Sequence, residues 1–149
     1  MKVSLIVSGI AALVLAASSL GNARAPAGAG KSHKSVVYGS AEHAKFDQAP
    51  APGVSMAVIW GDPNKGAHGT FTKFVPGYDA GMHTHSSDVW IVGIKGAYLY
   101  KDDAGEKRIG PGEFIRIPGG HKHWTGGDKK EGALFYQEGA GKFDMTPAK

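Results

Sequence analysis

Residues 76–85 read PGYDAGMHTH, and residues 112–124 read GEFIRIPGGHKHW. Each stretch contains two histidines separated by one residue, namely His83 and His85 in the first and His121 and His123 in the second. Side chains at positions i and i+2 of a β-strand point to the same face. Each pair can therefore direct two imidazoles into one space, and neutral imidazole is the commonest metal ligand in proteins.

Short apolar runs surround these two stretches, with Gly-rich or charged segments between them. The runs are residues 54–60, 69–75, 89–94, 97–100, 114–117 and 133–137. Many short strands separated by turn signals are typical of a β-sandwich or β-barrel, and no amphipathic helical pattern follows residue 25. The sequence therefore predicts an all-β fold. Six large aromatic side chains are predicted to lie in its core or at a pocket mouth: Trp60, Phe71, Trp90, Phe114, Trp124 and Phe135.

The N-terminus has the pattern of an export signal. Lys2 is followed by an uncharged, mostly apolar stretch to Leu20, and small residues then surround a cleavage site of the A-x-A type. We expect a signal peptide at 1–25, a flexible leader at 26–45 and one domain at 46–149. A retained membrane anchor is the alternative, but the apolar stretch is at the short end for a bilayer span. Cleavage would leave a periplasmic or secreted protein with no stable membrane anchor.

Composition narrows the chemistry of any metal site. The chain has no cysteine, so thiolate ligands are excluded and only nitrogen and oxygen ligands remain. The formal net charge is +4, but the lysines are scattered along the chain and form no basic cluster. We therefore expect no nucleic-acid partner. His68, outside both stretches, is predicted to be a polar residue at a strand edge.

The two stretches resemble the paired motifs of the cupin superfamily. The positions that match are Gly77, His83, His85 and Gly96 in the first motif and Gly112, Pro118, Gly120 and His123 in the second. The resemblance covers residues 76–124 directly, and the remaining sequence is similar to exported single-domain bacterial cupins of unassigned activity. It implies a jelly-roll β-barrel, also called a double-stranded β-helix, with His83, His85 and His123 as metal ligands.

One position departs from the cupin pattern. The glutamate of the first motif should stand at position 89 or 90, where this chain has Val89 and Trp90. Three interpretations remain open. The site has three histidine ligands and open coordination positions, or Asp88 replaces the glutamate, or His121 supplies the fourth ligand.

The resemblance also implies a function. One divalent transition-metal ion (Fe, Zn, Mn, Ni or Cu) at this site would serve a dioxygenase-like or isomerase-like enzyme that acts on a small, anionic molecule. A second hypothesis is a non-catalytic periplasmic cupin that binds or senses a ligand or a metal. A third is a cupin that has lost its metal, which the missing glutamate favours and the retained histidines oppose. No catalytic residue beyond the metal ligands is identified. A homodimer is expected from the resemblance alone.

Overall fold

A computed structural model describes residues 36–149, where it has ten β-strands and no helix. The strands are β1 (Val54–Gly61), β2 (His68–Phe74), β3 (Asp79–Thr84), β4 (Val89–Gly96), β5 (Tyr98–Asp102), β6 (Gly105–Ile109), β7 (Phe114–Ile117), β8 (His123–Gly127), β9 (Ala133–Gly139) and β10 (Thr146–Pro147). The predicted signal peptide lies outside the described residues, as does the first half of the predicted leader. Both segments therefore stay predictions. None of the described residues forms a helix long and apolar enough to cross a membrane.

The strands form two five-stranded sheets. The first sheet has the order β1-β2-β9-β4-β7, and the second has the order β10-β3-β8-β5-β6. Every neighbouring pair is antiparallel, and several neighbours are far apart in the chain. The all-β prediction is confirmed in this form. Because β3 and β8 are neighbours in the second sheet, the fold brings the two histidine stretches side by side.

The core is a layer of side chains between the two sheets. Along β4 the side chains of Val89 and Ile91 point inward and are buried, whereas Trp90 and Val92 point outward, as the twofold period of a strand requires. Phe135 on β9 meets this layer and is 1% exposed. Burying a side chain of this kind contributes about 1.5–3 kcal/mol relative to leaving it in water.

Of the six large aromatic residues predicted to lie in the core or at a pocket mouth, only Phe135 is buried, and the core prediction is wrong for Trp60, Trp90 and Phe114. Trp60, Trp90 and Phe114 are 43%, 41% and 68% exposed, and Trp90 stacks on Phe114 with ring centroids 6.2 Å apart. All three lie on the outer face of the first sheet. Trp90 and Phe114 have the parity opposite to that of the core residues, whereas a β-bulge between Val58 and Trp60 turns Trp60 outward. Hydrophobicity identified six of the ten strands, namely β1, β2, β4, β5, β7 and β9, but it did not identify which face of each strand is buried.

Candidate metal centre

His83, His85 and His123 converge between the two sheets. His83 on β3 is the register partner of His123 on β8, and their ring centroids are 4.4 Å apart. His85 follows the end of β3 and shares the side-chain parity of His83. One ring nitrogen from each histidine lies within 4.8 Å of the other two. The described residues thus contain a three-histidine group with the dimensions of a metal site.

Backbone carbonyls set the tautomer of all three imidazoles. Nδ1 of His83 donates to the carbonyl of Gly81 (2.8 Å), and Nδ1 of His123 donates to the carbonyl of His121 (2.8 Å). Nδ1 of His85 donates to the carbonyl of Asp144. A carbonyl can only accept, so each Nδ1 carries the proton and each Nε2 keeps a free lone pair. This is the usual outer support of metal-ligating histidines.

The Nε2 atom of His123 provides an independent test of metal fit. The atom is buried and has no hydrogen-bond partner among the described residues. A buried polar atom without a partner carries a desolvation cost, which a coordinated cation removes. Three neutral nitrogen donors suit Zn, Fe, Cu, Ni or a similar transition metal. The residues present therefore fit such an ion.

Burial also favours the neutral form of two of the imidazoles, those of His83 and His123. Burial lowers the pKa of His83 below its ordinary value of 6.5 and lowers the pKa of His123 to about 4. The hydrogen bonds to the Gly81 and His121 carbonyls oppose these shifts but do not cancel them. An imidazole must be neutral to coordinate a metal, so this environment prepares both rings for binding near pH 7.

The loop of the second motif holds His85 from one side. The backbone N–H of Gly120 donates to the carbonyl of His85 at 2.7 Å. A Cβ atom at Gly119 would lie 2.7 Å from the carbonyl oxygen of Ser86, so only glycine lets the two backbones approach this closely. The glycines of this motif thus allow the close backbone packing that supports the three-histidine group.

Residues 140–148, which we call the C-terminal strap, hold His85 from the other side. The Asp144 carbonyl accepts the His85 bond, and the Asp144 carboxylate accepts hydrogen bonds from the backbone and hydroxyl of Ser86. The backbone N–H of Phe143 donates to the Pro63 carbonyl at 2.7 Å. β10, near the end of the strap, pairs with β3 at Thr84 and His83. The strap therefore crosses the site and is held there by hydrogen bonds to several parts of the chain.

A cavity of about 270 Å³ opens onto His83 and His85. Its apolar wall comes from both sheets, from residues 50–51 and from the strap: Pro50, Ala51, Val54, Met56, Phe74, Tyr78, Ala80, Val89, Phe143 and Met145. Four neutral hydrogen-bonding side chains complete the lining: Thr72, Tyr98, Thr125 and Gln137. Burial raises the pKa of the Tyr98 phenol, so this hydroxyl keeps its proton across the physiological range.

The two candidates for a fourth ligand lie outside the three-histidine group. Asp88 accepts hydrogen bonds from Nε of Arg116 (2.9 Å) and from the backbone of Gly119 (2.9 Å). These bonds hold the pKa of its carboxyl below the usual value. The Asp88 side chain is therefore committed to Arg116, on the outer face of the first sheet.

His121 is also engaged elsewhere. Its Nε2 lies 3.0 Å from Oδ2 of Asp102, which accepts a second hydrogen bond from the Tyr100 hydroxyl at 2.7 Å. The His121 ring stacks on the His123 ring, with centroids 6.4 Å apart and planes 22° apart. The two rings are thus stacked, and His121 is not part of the group whose ring nitrogens converge. Among the three interpretations, the geometry favours the site with three histidines.

His68 differs from its prediction as a strand-edge polar residue. It is 1% exposed at the start of β2, and its Nδ1 donates to the carbonyls of Gly66 (2.9 Å) and Gly141 (3.0 Å). Its ring lies over Gly139, where a Cβ atom would approach to 2.4 Å. His68 thereby ties the first sheet to the start of the strap. Its Nε2 is buried without a partner among the described residues.

Some residues of the site were missed in the sequence although strand parity could have found them. Thr125 lies two positions after His123, and Gln137 lies two positions after the core residue Phe135, so both pairs share an inward face. Asp144 had no such signal, because it supports His85 through a backbone carbonyl. Every residue has a backbone carbonyl, so the type of residue at position 144 gives no sign of this role.

Comparisons with known proteins agree with this architecture. The polyketide cyclase RemF from Streptomyces resistomycificus has a TM-score of 0.63 at 17% identity, covering 77% of this chain and 87% of that one. A cupin-like protein from Thermotoga maritima has a TM-score of 0.52 at 19% identity, covering 58% and 68%. KdgF from a Halomonas species has a TM-score of 0.51 at 18% identity, covering 62% and 84%. At such identities the likeness shows the fold alone.

Sequence comparison identifies the family. No curated protein matches the chain significantly. The family model described as a domain of unknown function (DUF4437) matches residues 32–149, which is most of the sequence. The cupin resemblance predicted from the two histidine stretches is confirmed by the shared fold of the solved structures. The chain therefore belongs to the DUF4437 family of cupin-type domains.

Proposed function

We propose that this protein is an exported cupin that holds one divalent transition-metal ion through His83, His85 and His123. We further propose that it acts as a dioxygenase-like or isomerase-like enzyme on a small molecule with anionic oxygen. The observation that carries the proposal is the convergence of three imidazoles, each with a free Nε2, beside a cavity that two of them, His83 and His85, line. When bound, an ion with three protein ligands keeps coordination positions open for substrate oxygen and acts there as a Lewis acid.

The protein's own residues prepare the site for this chemistry. The carbonyls of Gly81, His121 and Asp144 hold the three rings in the ligating tautomer. Phe143 and Met145 of the strap form part of the cavity wall and limit the access of water. Tyr98 keeps its proton and can donate a hydrogen bond to a bound oxygen atom. These hydrogen bonds and wall residues are already in position before the substrate binds. Less conformational entropy is therefore lost on binding.

The second candidate function is a non-catalytic cupin that binds or senses its ligand in the periplasm. It is favoured by one observation: apart from the histidines, the only titratable side chains of the cavity lining are Tyr78 and Tyr98. An enzyme that moves protons usually places a group with a pKa near 7 beside the substrate. The two functions differ in what happens to a small molecule that binds metal-loaded protein. If the molecule is recovered chemically altered after incubation, the protein is an enzyme. If it is recovered only unaltered, the protein is a sensor.

Export and self-association belong to the same proposal. The apolar stretch after Lys2 and the small residues near Ala25 support cleavage and release from the membrane. Cell fractionation of the full chain, followed by the mass of the recovered protein, tests this. We expect a periplasmic or secreted product that lacks residues 1–25. The homodimer rests on the resemblance to cupins, and light scattering of the released protein tests it.

Metal analysis tests the central claim. Protein recovered from its own compartment should contain about one equivalent of a transition metal, and the double variant His83→Ala/His85→Ala should contain almost none. His43→Ala is the matched control, because His43 bonds only to Ser40 near the start of the described chain. A full equivalent of metal in the double variant would overturn the assignment.

A further inference from the structure

The cavity beside the three histidines carries no charged side chain. Sixteen residues line it, and none is lysine, arginine, aspartate or glutamate. Three acidic side chains lie nearby, and each is hydrogen-bonded to a residue that does not line the cavity. Asp88 bonds to Arg116, Asp144 bonds to Ser86, and Asp79 accepts from the Trp124 indole at 2.7 Å. The interior thus offers no protein counter-ion to a ligand of either sign.

A metal ion bound by neutral imidazoles would be the sole strong charge facing this cavity. Oxygen atoms that bind the ion directly would have their negative charge neutralised there. A second anionic group elsewhere on the ligand would be buried without a partner. Burying an unpaired charge is far more costly than burying an apolar group.

The apolar wall points to the remainder of the ligand. Eight carbon-rich or sulfur-containing side chains make up half of the lining: Val54, Met56, Phe74, Tyr78, Ala80, Val89, Phe143 and Met145. The volume of about 270 Å³ lies just below the usual range of roughly 300–1,000 Å³ for ligand pockets. Thr72, Tyr98, Thr125 and Gln137 add neutral hydrogen-bonding groups, which recognise a carbonyl or a hydroxyl without requiring charge.

We infer that the ligand of this cavity is a small, largely apolar molecule that presents neighbouring enol, phenol or ketone oxygens to the metal. This inference rests on the proposed metal site. The site discriminates against polyanions such as dicarboxylates and sugar phosphates. The negative charge of the ligand is confined to the oxygen atoms that touch the metal. The rest of the ligand is neutral and contacts the apolar wall.

Cobalt-loaded protein provides a test with two matched probes. Acetylacetone and malonate both chelate through two oxygens in a six-membered ring. Acetylacetone has apolar ends and one charge, whereas malonate has two charges, which are shared with two further carboxylate oxygens that do not touch the metal. Visible absorption of bound Co²⁺ reports their binding. Relative to the affinity of each probe for free Co²⁺, acetylacetone should bind the protein at least about tenfold more tightly, a difference of about 1.4 kcal/mol. Equal binding, or preferential binding of malonate, would overturn the inference.

The same experiment separates this inference from the proposed function. If Co²⁺ gives no spectrum of its protein complex, or if His123→Ala gives the same spectrum as the unchanged protein, the metal site itself is wrong. If the spectrum depends on His123 but malonate binds preferentially, the metal site stands and the ligand class is wrong.

A charge placed at the cavity tests the electrostatic reason. Met145 lines the cavity and is 41% exposed, so Met145→Lys adds a cation there without burying it fully. We expect malonate to bind about two- to fivefold more tightly, the range of a partly exposed ion pair. Val92→Lys is the control, because Val92 is 38% exposed on the outer face of the first sheet. If the two variants have equal effects, or if neither changes malonate binding, the reason given for the selectivity is wrong.

Discussion

His83 and His123 face each other directly across β3 and β8, and both are almost completely buried. Because side chains alternate along a strand, a one-residue slip in this register would turn one of the rings away from the site. The antiparallel pairing of two strands therefore determines where two of the three imidazoles meet. It also buries two titratable groups together, which makes the metal-free protein sensitive to acid.

Acid should destabilise the metal-free protein before its carboxylates are protonated. In the unfolded chain a histidine takes up a proton near pH 6.5, whereas burial lowers the pKa of His123 to about 4 in the folded protein. Between these values the unfolded state binds more protons, so the free energy of unfolding falls as pH falls. The slope is at most about 1.4 kcal/mol per pH unit for each such histidine. Denaturant unfolding from pH 7 to pH 4 measures it.

His123→Phe is the control for this slope. Other groups with shifted pKa values contribute to the wild-type slope but are shared by both proteins, so the difference between them isolates His123. We expect the variant to show a shallower fall in unfolding free energy. Identical slopes would show that His123 is not buried in its neutral form. With metal present, release should require a lower pH than protonation of the free imidazoles, because coordination competes with protons.

Loosening the strap should weaken the metal site without removing a ligand. Asp144→Ala deletes the bonds to the Ser86 backbone and hydroxyl, which hold the carbonyl that orients His85. Loss of support of this kind typically costs about tenfold in metal affinity. Competition with a metal-binding dye measures it. Asp103→Ala, at the exposed turn between β5 and β6, should leave the affinity unchanged. A normal affinity in Asp144→Ala would show that the strap does not support His85.

Asp88→Ala should retain its metal and lose thermal stability. The Asp88 carboxylate binds Arg116 and the Gly119 backbone, so its removal frees the loop that packs against His85 and Ser86. We expect a lower melting temperature and a nearly unchanged metal dissociation constant. Arg116→Ala is the matched partner variant, since it breaks the ion pair from the other side. A large loss of metal affinity in Asp88→Ala alone would restore Asp88 as a ligand.

Gly139→Ala should disturb the strap from the opposite end. The new Cβ would lie 2.4 Å from Cε1 of His68, so the ring that bonds to Gly141 has to move. Overpacking in a core usually costs about 1–3 kcal/mol of stability. Gly66→Ala is the control, because no atom lies within 4 Å of its added Cβ. Denaturant unfolding compares the two variants. Equal stability would mean that the contact between His68 and Gly139 is loose.

The short apolar runs predicted the β fold, and the cupin resemblance of the two histidine stretches implied the group of His83, His85 and His123. His83 and His85 share a strand face by parity, and the glycine and proline positions of the two stretches match the cupin pattern. The burial of His68 could not be predicted, because it depends on Gly139, which is distant in the chain. Trp90 was misplaced for a related reason: alternation defines two faces of a strand, but only the packing of the second sheet decides which face is buried.

The positions of the site residues along the chain determine when the site can form. All three histidines precede residue 124, yet the acceptor that orients His85 and two walls of the cavity come from residues 143–145. During synthesis, a chain that ends at β8 already carries every ligand and the carbonyls that orient His83 and His123, but it lacks the Asp144 carbonyl that orients His85. We therefore expect full metal affinity only once residues 143–145 are in place, and a chain cut before residue 143 would keep its three histidines but lose the acceptor that orients His85.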